Sequence, residues 1–403
     1  MNNRVSSIER RALQLAVLGL GLALSAAVGA DPGNYIVHNL VSNQPGVADH
    51  QDGNLRNAWG IVFGPTNPVW VSDNSSGVAT VYDGTGNPLL VGSPPAPLVV
   101  TIPGGSPTGI TFNPSASDFQ ISCGSPATLA PATFLWATEN GDIAAWRSAC
   151  GSTAVIVPTT ATPNGVYKGI AIAGDGSLDF RLFAADLFNG KIQVFDHNFM
   201  PTTVPGGFVD PNLPPGFSPF NILALQGNLY VSYAFHVAGD HDETAGPGLG
   251  IVDVFDADGF LIERAATGGK LNAPWGMAIA PAGFGKFSGM LLVGNFGDGT
   301  INAFDTKNNT FAGQLRTGSG QVLMIDGLWG IAFGNNFRSQ PANTLFFAAG
   351  PNAESDGLFG TIVPAPSQGQ GDNGQGDNGQ GDNGQGDNQG GNSPGHGHSR
   401  GGH

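Results

Sequence analysis

Asn57-Ala58-Trp59-Gly60-Ile61-Val62-Phe63 decides the fold, because it returns as Ala273-Pro274-Trp275-Gly276-Met277-Ala278-Ile279 and as Asp326-Gly327-Leu328-Trp329-Gly330-Ile331-Ala332-Phe333. Weaker copies are Ser106-Pro107-Thr108-Gly109-Ile110-Thr111-Phe112 and Tyr167-Lys168-Gly169-Ile170-Ala171-Ile172. The most divergent is Ser218-Pro219-Phe220-Asn221-Ile222-Leu223-Ala224-Leu225. Anchored on Gly60, Gly109, Gly169, Asn221, Gly276 and Gly330, the copies are spaced by 49, 60, 52, 55 and 54 residues. That is the length of one four-stranded propeller blade with its connections.

Two further segments rich in β-branched and aromatic residues follow each anchor, as second and third strands require. The second strands are expected at 69–72, 134–137, 182–185, 229–232, 291–294 and 345–348. The third are expected at 78–82, 143–146, 192–195, 251–255, 301–304 and 360–363. Several third strands end in an aromatic followed by Asp (Tyr82-Asp83, Phe195-Asp196, Phe255-Asp256, Phe304-Asp305), where Asp starts a turn by bonding its own backbone. The anchor glycines fit a place where inner strands crowd the axis, and the tryptophans before them are read as packing between blades. The sixth blade has no residues for an outer strand after Val363, while 35–41 is strand-like without a blade of its own. It is expected to complete the sixth blade and close the ring, which protects the terminal edges. The predicted fold is therefore all-β, a six-bladed β-propeller over 34–364 closed by its N-terminal strand.

Both ends differ from this pattern. Arg4, Arg10 and Arg11, the apolar run 13–24 and Val28-Gly29-Ala30 make 1–30 a predicted secretory signal, too short for a membrane span. Arg10-Arg11 matches the twin-arginine pattern only loosely, so the general secretory route is expected. From Ser367, Gly-Gln-Gly-Asp-Asn repeats lead to a histidine-bearing end, and 367–403 is predicted to be a disordered tail. His396, His398 and His403 there suit loose, incidental metal binding.

The chain of 403 residues has a formal charge of −15; the predicted signal carries three arginines and one glutamate, so its +2 leaves −17 for the rest. Such acidity argues against nucleic-acid and anionic-membrane partners, leaving a small molecule, glycan or protein. No other run reaches the length of a span, and a monomer is expected. With 64 glycines and charged residues at 11%, the composition suits short strands and turns, not long helices. The two cysteines, Cys123 and Cys150, are a disulfide candidate in an exported chain.

Alternating strands bring the turns between second and third strands, and the entries to the first, to one face. Those loops are polar and offer Asp73, Asn74, Glu139, Asn140, Asp186, Asn295 and Asp298 as candidate ligand-binding residues. Converging oxygens suit Ca²⁺ or another divalent cation, or a sugar-like ligand; turn formation alone also explains Asn, Asp and Gly there. One loop, between Tyr233 and Ile251, is longer than its counterparts and holds His236, Asp240, His241, Asp242 and Glu243. Imidazoles with carboxylates are compatible with a divalent metal, and a solvated acidic lid is the competing reading. The entry segment Asp49-His50-Gln51-Asp52 is assigned to the same face. No phosphate-cradling loop, G-x-S-x-G elbow, H-E-x-x-H helix or paired C-x-x-C is present.

Asn57-Ala58-Trp59-Gly60-Ile61, Val71-Ser72-Asp73-Asn74, Tyr167-Lys168-Gly169-Ile170-Ala171, and Ala245-Gly246-Pro247-Gly248 with Val252-Asp253-Val254-Phe255 resemble an uncharacterised family of exported bacterial propeller proteins related to the NHL-repeat superfamily. The resemblance covers most of 34–364 and implies the propeller fold and export; it brings no activity and no catalytic residues. Many members end in a Pro-Glu-Pro sorting signal with a hydrophobic span, whereas this chain has Val363-Pro364-Ala365-Pro366 and then the polar tail. The expected function is an extracellular binding or scaffold protein using its polar loop face. The competing expectation is a metal-dependent hydrolase resembling the six-bladed lactonases, which requires Glu139, Asp186 and Asp298 to point at a common centre.

Overall fold

The computed structural model describes residues 33–174 and 180–366. The predicted signal 1–30 and the tail 367–403, with its histidines, lie outside the described residues. Six sheets form six blades. Their inner strands are Ala58–Val62, Pro107–Phe112, Tyr167–Gly174, Phe217–Leu225, Pro274–Ile279 and Leu328–Phe333. Antiparallel ladders carry each blade outward, for example from Ala58–Val62 through Val69–Asp73 and Val78–Tyr82 to Val99–Thr101. The helical turns among the described residues are three single-turn 3₁₀ segments, and no described helix is long and apolar enough to cross a membrane.

The anchor residues set how tightly the blades meet. A Cβ on Gly60 would lie 2.6 Å from the Thr108 carbonyl oxygen of the next blade, and one on Gly330 2.5 Å from the Trp59 carbonyl oxygen. Neither position has room for a side chain. Blade 4 departs from the rule with Asn221, whose Nδ2 donates to the Trp275 carbonyl oxygen at 2.8 Å. Its side chain thus bridges to the next inner strand, and the weakest copy of the repeat keeps the contact by another chemistry.

The predicted clasp is present. Asn34–Ser42 pairs antiparallel with Leu358–Pro364, with Val37 opposite Ile362. Tyr35, Leu40 and Val41 are buried. The Tyr35 hydroxyl donates to the Phe284 carbonyl oxygen at 3.0 Å, and Asn34–Tyr35 also pairs with Arg316–Thr317. The clasp therefore joins blade 6 to blade 5 as well as completing its own sheet.

Two hairpins lie outside the repeat and were not anticipated: Leu90–Val91 with Ala96–Pro97, and Gln120–Cys123 with Thr128–Pro131. They occupy blade connections, where no recurring pattern marks them. Cys123 in the second is bonded to Cys150, with a Cα–Cα separation of 5.0 Å. Replacing both cysteines with serine should lower unfolding stability by roughly 3–4 kcal/mol, from the loop-closure entropy regained by the unfolded chain. Denaturant titration of the two proteins measures this.

Candidate functional site

The residue preceding each anchor lies on the inner strand of its blade. In blade order these six are Trp59, Thr108, Lys168, Phe220, Trp275 and Trp329, all buried. Four are aromatic and pack together: Trp59 stacks on Trp329 at 3.6 Å, and Trp275 meets Trp329 edge-on at 5.7 Å. Phe296 stacks on the same ring at 4.0 Å. The tryptophans pack between blades as expected, Trp329 of blade 6 touching Trp59 of blade 1 and Trp275 of blade 5; Trp59 also lies 6.2 Å from Trp275, so the three form a plug of indoles.

Blade 3 puts a cation in this ring. Lys168 is 1% exposed, and its Nζ lies 5.0 Å over the Trp59 ring. That ammonium donates to Glu139 Oε1 at 2.7 Å and to Asp242 Oδ1 at 3.0 Å. Trp275 Nε1 donates to the Lys168 carbonyl oxygen at 3.1 Å. Glu139 follows the second strand of blade 2, and Asp242 lies on the long loop of blade 4, so three blades meet at one ammonium. Asn74 of blade 1 adds a fourth, donating to Glu139 Oε2 at 3.1 Å. Burial alone disfavours the charged amine, but Glu139, Glu243 and Asp242 outweigh it and hold the lysine above its ordinary range.

Two more carboxylates stand near this cation without bonding it. Burial pushes Glu243 up to about 7 against the pull of Lys168. It raises Glu354 too, against the pull of Lys168, with Glu139 and Asp242 adding repulsion. Glu243 therefore binds its proton more tightly in the folded chain than in the unfolded one. Its contribution to stability is full below its ordinary value of 4.5 and is lost as pH rises through about 7. The melting temperature should fall between about pH 5 and pH 8, and Glu243→Gln should flatten that fall. Thermal melts of both proteins across this range provide the check.

The other predicted residues separate into distinct environments. Asp73 is fully buried, and desolvation raises its pKa well above the carboxylate range. Asp186 is also buried and accepts from Val166 N, from Asn189 N and Nδ2, and from Gln193 Nε2, all in its own blade. Asp298 accepts from Thr300, Asn295 and Asn272 in the same way. Asn295 is buried in that network, donating also to the Lys270 carbonyl oxygen at 2.7 Å. Asn140 is exposed and donates to the Gly104 carbonyl oxygen at 2.9 Å. Glu139, Asp186 and Asp298 thus do not share a centre: the first holds Lys168, and the other two hold turns of blades 3 and 5.

The long loop divides as well. His236 is buried between the Ser218 hydroxyl and the Asp240 carbonyl oxygen, 2.7 Å from its Nε2. His241 lies edge-on to Phe188 at 5.3 Å. Asp242 and Glu243 turn toward Lys168. Among the described residues no group of three or more His, Cys, Asp or Glu side chains is placed to hold a metal ion. In the entry segment, Asp49 pairs with His38 at 2.9 Å and Asp52 accepts from the Tyr82 hydroxyl at 2.9 Å, so neither joins the Lys168 cluster.

The chain is 35% identical over 338 residues to uncharacterized protein R648 of Acanthamoeba polyphaga mimivirus, covering 81% of this chain and 79% of that one. It is 33% identical over 343 residues to uncharacterized protein L690 of the same virus, covering 81% and 85%. The chain belongs to the family of these two proteins. These relatives are viral, so they give no support to the bacterial character implied by the resemblance above. No family model matches the sequence. A structural genomics protein of unknown function from Bacteroides thetaiotaomicron is similar in structure, with a TM-score of 0.51 and 13% identity over 81% of this chain and 76% of that one. At that identity the likeness speaks for the β-propeller fold alone.

Proposed function

We propose that this member of the family is an exported binding protein that takes its ligand on the polar loop face, over the Lys168 cluster. The supporting observation is how its charged groups are used. Asp186 and Asp298 are engaged in turns of their own blades, whereas Glu139 and Asp242 reach from different blades to Lys168. One ammonium, surrounded by carboxylates and amides above a floor of indoles, matches a ligand rich in hydroxyl or cationic groups. The N-terminal signal pattern and the Cys123–Cys150 bond support export to an oxidising compartment. Purified protein should bind members of a glycan and polyamine panel in calorimetry, and Glu139→Gln should weaken that binding by about tenfold, the loss of one charge-assisted contact. Metal-dependent hydrolysis of lactones or esters by the same preparation would overturn this reading in favour of the hydrolase.

A further inference from the structure

Two cavities open on the face opposite the polar loops. The axial one is lined by one aliphatic side chain from most blades, including Ile61, Ile110, Ile170 and Ile331, below the indole plug. It follows from the repeat itself and singles out no ligand. The other lies off the axis between blades 1 and 2 and encloses about 590 Å³. That volume falls in the range of sites that take small molecules.

This second cavity combines strands of blades 1 and 2 with parts that the repeat does not supply. Its lining includes three aromatic residues, Trp70, Phe134 and Trp146, which are 2%, 0% and 6% exposed. Their rings contact one another, Trp70 lying 4.5 Å from Phe134 and 4.9 Å from Trp146. One wall is held rigidly: Trp146 Nε1 donates to the Gly151 carbonyl oxygen at 2.8 Å, and neighbouring Cys150 is bonded to Cys123. The Arg147 guanidinium beside it turns away, to the Cys123 carbonyl oxygen and Thr128. The opposite wall is Leu89, Val91 and Leu98, at the base of the extra hairpin of blade 1. That hairpin leaves Leu90 and Val91 55% and 41% exposed beside the opening. The polar side chains of the lining, such as Asn67, Thr133 and Ser152, are all uncharged, in a chain whose net charge is −15.

We propose that this slot is a second binding site, for an uncharged, ring-bearing small molecule lying against Trp70 and Trp146. Aromatic walls favour flat or ring-shaped partners, and a lining without ionised groups leaves a charged ligand with no counterion.

N-Phenyl-1-naphthylamine, uncharged and ring-bearing, is the probe. Added to the full chain, it should fluoresce in the blue with saturation at one molecule per chain and quench tryptophan emission. Val91→Glu places a carboxylate at the mouth on an exposed hairpin, and Ser152→Trp fills the space from the other wall. Each should weaken probe binding by about tenfold or more, with the melting temperature unchanged. Ala224→Glu, at the mouth of the axial cavity, should leave binding intact. The proposal is overturned if the probe fails to bind, or if Ala224→Glu abolishes binding while Val91→Glu does not. It is equally overturned if sedimentation shows Val91→Glu dissociating a dimer, which would make the slot an interface between copies.

Discussion

Deleting residues 31–41 should lower the melting temperature of the protein by ten degrees or more and promote its aggregation. The deletion removes six of the seven paired positions with Leu358–Pro364, leaving only Ser42 opposite Leu358. It also exposes the surfaces that Tyr35, Leu40 and Val41 bury, side chains only 2%, 4% and 1% exposed. Burial of each contributes roughly 1.5–3 kcal/mol, so the total is on the order of 5 kcal/mol before the hydrogen bonds are counted. The bare edge of blade 6 would then template association with other chains. Differential scanning calorimetry and light scattering of the full and truncated proteins test this. Tyr35→Phe is the graded control: it removes only the hydroxyl donated to Phe284 and should cost about 1 kcal/mol. A truncated protein that melts like the full chain would contradict the clasp.

Lys168→Met should destabilise the protein by roughly 3–4 kcal/mol near pH 8, because removing one partner of a buried ion pair leaves the other uncompensated. Glu139, with 28% of its side chain exposed, would face Glu354 and Glu243 with no cation between them, whereas Asp242 at 77% exposed relaxes into water. Asp242→Asn should therefore cost under about 1 kcal/mol, as exposed pairs do. The loss in Lys168→Met should shrink toward pH 5, where Glu243, pushed up to about 7, takes up its proton. Urea unfolding at the two pH values separates this electrostatic loss from a packing defect, which would be independent of pH.

These residues also explain what was readable in the sequence. Six copies of one motif gave the blade count, and a strand without a blade gave the closure, because both depend on spacing along the chain. Asp73, Asp186, Asn295 and Asp298 were recognised as loop-face residues by type and position. Their burial, and the partners that occupy Asp186 and Asp298, depend on neighbours that residue type does not reveal. Lys168 stood inside a quoted copy of the motif but was not singled out. The signal was there: it occupies the position that holds tryptophan in three other copies. Its partners lie 29 and 74 residues away, and only the packing of blades 2, 3 and 4 against one another brings them together. Parts of the slot between blades 1 and 2 are legible, the cysteine pair and the strands of Trp70, Phe134 and Trp146, but their meeting is not, since the extra hairpin that completes it belongs to an insertion.

The clasp has a consequence for the order in which the molecule is completed. Ser42 Oγ donates to the Gly357 carbonyl oxygen across 315 residues, so Asn34–Ser42 waits for Leu358–Pro364 before its main ladder can form. Blades 1 to 5 assemble from neighbouring segments and can form as the chain emerges. The sixth joins both ends, and its closure entropy is met in one late step. Until then two edges stand open, and a chain stalled at that stage meets a second chain as readily as itself. Exchange of the first strand between two molecules is the misassembly this architecture invites.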